Sequence, residues 1–129
     1  MKNTYHNAHN HYKSIELQTR MGATPPHELV HLLLQGARSN IAIAQGYIQR
    51  KQISEKGTHI SKAISIIGAL KTNLDLASGG EIADNLNKLY DYIMQILLKA
   101  NRHNDMDLLT EANQLLTELH EGWQGIKPE

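Results

Sequence analysis

The chain has no cysteine and no phenylalanine, and its only prolines are Pro25, Pro26 and Pro128. Without cysteine there can be no disulfide and no thiolate metal site. Without proline between Pro26 and Pro128, everything from Glu28 to Lys127 is free to be helix or short turn. An excess of either charge is also missing: 13 Lys and Arg balance 13 Asp and Glu, a formal net charge of +0. The basic field that nucleic-acid binding needs is therefore absent, and no nucleic-acid partner is expected. No apolar run approaches the roughly 20 residues of a membrane span. The opening MKNTYHNAHNHY lacks the apolar stretch of a secretory signal. A cytoplasmic chain with no membrane insertion is the expectation. With 129 residues, 40% of them apolar, it is long enough to bury a core unaided. It reads as a single domain over residues 1–129.

What the sequence does have is five apolar stripes with helical spacing. The first, Tyr5, Ala8, Tyr12 and Ile15, steps by three and four residues and suits a short amphipathic helix. With the polar tail before it, this helix occupies residues 1–20, which are expected to be mobile. Thr24 is the expected N-cap of the next helix, with Pro25 at its first position. That helix carries Val30, Leu33, Leu34, Ala37, Ile41, Ala44 and Ile48. The third stripe is Ile60, Ala63, Ile64, Ile67, Leu70 and Leu74. The fourth is Ile82, Leu86, Leu89, Ile93, Ile96, Leu97 and Ala100, and the fifth is Leu109, Ala112, Leu116, Leu119, Trp123 and Ile126. No segment sustains the two-residue alternation of a strand. The predicted fold is all-α: an antiparallel up-and-down bundle of four long helices plus a short N-terminal one.

Three motifs suggest chemistry. His27-Glu28-Leu29-Val30-His31 matches the H-E-x-x-H pattern of zinc hydrolases, in which two histidines one turn apart hold the metal and the glutamate acts as base. On a helical wheel, however, both histidines fall on the face of Gln35, Arg38, Gln45 and Gln49, read here as the solvated side. The third-ligand spacing is missing too, since Leu34 and Ala37 stand there. His6, His9 and His11 form a polar N-terminal cluster without further context. Ser78-Gly79-Gly80-Glu81 lacks the Gly-Lys-Ser/Thr ending of a phosphate loop and follows a helix rather than a strand. It reads as a corner between helices, with Gly79 in the left-handed conformation and Ser78 and Glu81 spaced as a capping box. No catalytic, metal or cofactor residues are assigned.

Two helices carry more apolar surface than a one-sided core stripe needs. Leu29, Leu32, Ile43 and Tyr47 flank the second stripe, interleaved with Gly36 and Asn40. Ala83, Tyr90, Met94 and Leu98 flank the fourth, interleaved with Asn87 and Asn101. Such flanks either fill a core on two sides or form a groove for a partner helix, where small residues permit close approach and large ones anchor it. The N-terminal helix, through Tyr12 and Ile15, is a candidate lid over that groove.

The run GGEIADNLNKLYDYI, followed by Ala100-Asn101 and Asn104-Asp105, resembles the GGEIA-x-NL-x-x-LYDY signature of the flagellar secretion chaperone FliS family. The Thr24-Pro25-Pro26 to Gly36-Ala37 block, the Lys62 to Leu70 run and the stretch from Leu116 to Trp123 are similar to further segments of that family. Leu34-Gln35 departs from the family's Tyr-Asp, so no partner contact is carried over at that pair. The resemblance implies a non-enzymatic cytoplasmic chaperone that binds the disordered C-terminal segment of flagellin, one to one. It would prevent premature polymerisation and keep the subunit competent for type III secretion. Contacts with the export gate and with regulatory proteins are also implied, and no cofactor is. Together with the helical phase, it makes Tyr12, Ile15, Leu29, Leu32, Gly36, Asn40, Ile43, Tyr47, Tyr90, Met94 and Leu98 the candidate flagellin contacts. Two other functions fit the residues alone: a small zinc hydrolase built on His27, Glu28 and His31, and a self-associating structural bundle.

Overall fold

The computed structural model describes residues 25–74 and 79–126. These form four helices and no strand: α1 (Pro26–Gln49), α2 (Ile53–Thr72), α3 (Gly80–His103) and α4 (Met106–Gln124). They correspond to the second to fifth apolar stripes. The first stripe, with Tyr12 and Ile15, lies outside the described residues, as does Ser78; the N-cap of the next helix is Pro25 with Pro26 at the first position, one residue later than the expected Thr24 and Pro25.

Each helix begins and ends for a local reason. Pro26 stands in the first turn of α1, where its missing N–H leaves no bond unmade, and Glu28 follows it there. The turn after α1 closes through Lys51 with φ of 60°. Helix α3 ends on Asn104, in the left-handed conformation at φ 52°, a position asparagine tolerates better than most residues. Asp105 then caps α4, its carboxylate accepting from the Leu108 N–H at 3.2 Å. At the glycine corner the expectation is corrected by one residue. Gly79 has an ordinary φ of −78°, and Gly80 carries the left-handed φ of +59°. The strain-free residue is needed where the chain enters α3, not where it leaves α2.

Helix α1 packs on α2 and α4, and α3 packs on the same two helices. Between them lies one cluster of buried side chains, with Ile41, Ile60, Ile67, Ile93, Leu97, Leu109 and Leu116 sealed from solvent. Gly36 lies at the α1–α2 contact, where an added Cβ would come within 3.3 Å of Ile66 Cδ1 and press on that side chain.

Two polar residues sit in this interior, at 3% exposure each: Lys56 and His120. Lys56, one turn before Ile60, reaches the last turn of α3. Its Nζ donates to the Asn101 carbonyl and to Asn101 Oδ1, both at 2.8 Å. A cation there meets the negative end of the α3 dipole and satisfies carbonyl groups the helix leaves open. Burial holds the lysine's pKa below its ordinary value. The two charge-assisted bonds, about 1.5–3 kcal/mol apiece, offset that desolvation.

Candidate functional site

The first half of α3 reverses the sequence reading. Ile82, Leu86 and Leu89 were expected in the core, with Ala83 and Tyr90 on an outer flank. In the structure Ala83 and Tyr90 are buried at 5% and 4% exposure, whereas Ile82 is 74% exposed. Leu86 and Leu89 are only partly covered. The two sets are neighbouring arcs of one broad apolar face, and periodicity alone cannot say which arc the adjoining helices cover. Beyond Ile93 the expected stripe is the buried one, so the exchange is confined to the end of α3 beside the glycine corner.

The uncovered arc lines two adjoining apolar depressions. One, of about 250 Å³, lies where all four helices converge; Val30, Leu70, Leu74, Ile82, Leu86 and Trp123 are among its walls. The other, of about 440 Å³, runs between α3 and α4, with Leu86 and Leu89 facing Leu115, Leu119, Trp123 and Ile126. Ile82, Leu86, Leu119 and Trp123 line both, so the two make one groove. Leu119, Trp123 and Ile126 extend the last stripe past the covered core, and Ile126 is 54% exposed. A partly open apolar groove of this kind is where an apolar helix face can dock.

Trp123 is held rigidly as a wall of that groove. Its ring stacks on His27 with centroids 4.9 Å apart and planes at 21°. Its Nε1–H donates to the His27 carbonyl at 2.8 Å, and His27 Nε2 lies 3.2 Å from the Trp123 carbonyl. A carbonyl only accepts, so His27 must carry its proton on Nε2.

The other candidate contacts lie elsewhere. Leu29 is at 9% exposure and, like Tyr90, belongs to the core cluster, which leaves both little surface for a partner. Tyr90 still borders the groove, and burial raises its phenol pKa. Gly36, Asn40 and Tyr47 face α2. Asn40 donates to the Gly36 carbonyl at 2.9 Å and pairs through Oδ1 with His59 Nδ1 at 2.9 Å. Tyr47 stacks on the same imidazole, 5.5 Å away, and the Arg50 guanidinium lies over the Tyr47 ring, 4.8 Å from its centroid. Leu32 is half-buried, Ile43 is 42% exposed, Met94 packs partly on the core and Leu98 is 53% exposed. The structure does not bring these residues into the groove. They form separate apolar surface on α1 and α3.

Part of the α1 face read as solvated lines the α1–α4 seam, while Gln35 and Gln49 are exposed as expected. Arg38 Nη1 lies 2.7 Å from His120 Nδ1, and His120 Nε2 lies 2.7 Å from His31 Nδ1. Gln45 donates to Thr110 Oγ1 at 3.1 Å. These polar side chains find polar partners on α4 instead of water, a pairing that a single-helix wheel does not reveal. His27 and His31 therefore turn to different residues of α4, Trp123 and His120, and do not converge on a point as zinc ligands would. His120 follows Leu116 by four residues and so shares its buried face, a placement its polar side chain conceals in the sequence.

Arginine can only donate, which fixes this chain of bonds. His120 Nδ1 accepts from Arg38, so His120 carries its proton on Nε2 and donates it to His31 Nδ1. Burial first, then the nearby His31 and Arg38, lower the His120 pKa from its ordinary 6.5. Burial and Lys62 lower that of His59 in the same way. Below about pH 6.5 the unfolded chain takes up protons that the folded chain resists. Stability is therefore intact above that pH and falls as the solution is acidified. Denaturant midpoints should drop between about pH 7 and pH 5, and His120→Gln should flatten the drop. An unchanged slope in the variant would refute the assignment to His120.

Among the described residues no helix is long and apolar enough to cross a membrane. Residues 8–129 match the family described as flagellar protein FliS. The chain is 44% identical over 115 residues to the flagellar secretion chaperone FliSB of Pseudomonas aeruginosa, covering 89% of this chain and 91% of that one. It is 38% identical over 118 residues to the flagellar secretion chaperone FliS of Salmonella typhimurium, covering 91% and 87%. Against the Vibrio cholerae FliS the identity is 32% over 118 residues, covering 92% and 87%.

Proposed function

The chain belongs to the flagellar protein FliS family, and from that premise we propose that it is a flagellar secretion chaperone whose client is the C-terminal segment of flagellin. The observation that carries the reading is the apolar groove walled by Ile82, Leu86, Leu119 and Trp123. A disordered segment that folds on binding must bury enough apolar surface to exceed an ordering cost of about 2–5 kcal/mol. The groove offers that surface to one face of an amphipathic helix. The remaining length of the client runs over the apolar surface of Leu32, Ile43, Met94 and Leu98. Binding and release are docking equilibria, without covalent chemistry, in the cytoplasm where the client is made.

An up-and-down antiparallel bundle, a single domain, suits this role. It is supported by His27 near the start of α1 meeting Trp123 near the end of α4, and by Gln45 meeting Thr110 at the opposite ends. Lys56 at the start of α2 and Asn101 at the end of α3 make a third such pair. Val30, in the early turns of α1, lines the groove. Export-gate and regulatory contacts belong to the complex as a whole.

Co-expression with flagellin tests the function directly. A stable one-to-one complex is expected in sedimentation, and removing the client's C-terminal segment should abolish it. A complex that survives the truncation, or self-association indifferent to flagellin, would refute the reading.

A further inference from the structure

The α1–α4 seam holds a second cavity, of about 480 Å³, that shares no wall residue with the apolar groove. Its walls include His31, Gln35, Arg38, Ser39, Asn113 and His120, and no aspartate or glutamate. Arg38 is half-buried and pairs with no carboxylate among the described residues, where the one ion pair is Lys71 with Asp91. One of its N–H groups is spent on His120, a neutral acceptor. A partly desolvated guanidinium is normally matched by an anion, since its remaining donors otherwise lose water without a charged partner.

The neighbouring groups repeat that preference for an acceptor. The Arg38–His120–His31 chain of bonds leaves the His31 Nε2 proton as its free end. Ser39 and Gln35 add a hydroxyl and an amide at the rim. Donors of α1 thus border a space with a cation and, among the described residues, no counter-ion.

We propose that this cavity is a carboxylate-binding site, in which the guanidinium of Arg38 and the imidazole of His31 hold a carboxylate group. A carboxylate matches the fork of a guanidinium better than a spherical halide does, through two parallel N–H···O bonds. The carboxylate is the side chain of an acidic residue on a protein partner or a free small carboxylic acid. Both place the same group in the cavity. The site stands apart from the flagellin reading, because none of its residues line the apolar groove.

The test follows the Arg38 guanidinium and the His31 and His120 rings of the full chain by nitrogen-15 NMR near neutral pH. Sodium acetate, an N-acetylated tripeptide amide with one central glutamate, and sodium chloride at matched ionic strength are titrated in turn. A saturable shift at Arg38 and His31 with acetate or peptide, and none with chloride, is expected. Tighter binding of the peptide assigns the site to an acidic side chain, and tighter binding of acetate assigns it to a free small carboxylic acid. Arg38→Gln should weaken binding about tenfold or more, and Arg38→Lys, which keeps the charge without the fork, by less. Arg38→Lys also keeps the proposal testable if the glutamine variant folds poorly. An absent or non-saturable shift, an equal response to chloride, or binding undiminished in a folded Arg38→Gln would overturn the proposal.

Discussion

Ile82→Asp should cut flagellin affinity about thirtyfold or more while leaving the free protein as stable as before. Ile82 borders both halves of the groove yet is 74% exposed, so the free chain has little packing to lose there. It is also the third residue of α3, where a negative charge faces the positive end of the helix dipole and adds roughly 0.3–1 kcal/mol of helix stability. In the complex the same carboxylate would be buried beneath an apolar client face. Losses of about 2 kcal/mol or more are typical where a central anchor is removed, and an uncompensated charge adds desolvation to that. Calorimetry with the flagellin C-terminal peptide, set against the thermal midpoint of the free variant, separates the two effects. Ile43→Asp makes the comparison sharper. Ile43 is 42% exposed and lies outside the groove, on the surface over which the rest of the client is proposed to run, so its effect should be the smaller. If Ile43→Asp weakened binding more than Ile82→Asp, the principal docking surface would have to move to α1.

The contrast between these residues shows how far the sequence could be read. The existence and approximate extent of α1 to α4 followed from spacing and from proline and glycine placement, because those depend on the chain's own periodicity. The buried sets of α2, and of α3 from Ile93 onward, followed for the same reason. What periodicity cannot supply is the position of the neighbouring helices around each axis. Near the glycine corner α3 and α4 leave a gap, so Ile82, Leu86 and Leu89 become groove walls while Ala83 and Tyr90 turn inward. In α1 the polar face of His27, His31, Arg38 and Gln45 looked solvated because each partner, on α4, lies more than 60 residues away in the chain. His120 and Lys56 were hidden by their chemistry: both occupy buried positions of the helical repeat, but a charged or titratable side chain reads as surface. The GGEIA run was legible as a family signature. Its role as the rim of a groove needed the helices to be placed.

Trp123→Ala should be the most destabilising single change at the groove, by about 3 kcal/mol. Truncating a buried tryptophan costs roughly 3–5 kcal/mol, and Trp123 is only partly buried, which places it at the lower end. The substitution removes the stacking on His27 and the indole N–H bond to the His27 carbonyl, and leaves only the residue 123 backbone carbonyl for His27 Nε2. It therefore loosens the start of α1 from the end of α4 as well as opening the groove. Trp123→Phe separates these contributions. The smaller ring keeps an apolar wall and an aromatic face for His27 but cannot donate to its carbonyl. That carbonyl also has the His31 N–H within the helix repeat, so the lost bond should cost only about 1 kcal/mol. Urea midpoints should rank wild type, Trp123→Phe and Trp123→Ala in falling order, with the larger step between the last two. Equal losses in both variants would place the energy in the hydrogen bond and not in the packed ring. Client binding should follow the same order. A folded Trp123→Ala that bound flagellin as tightly as the wild type would show that the α1–α4 wall, and with it this end of the groove, lies outside the client's path.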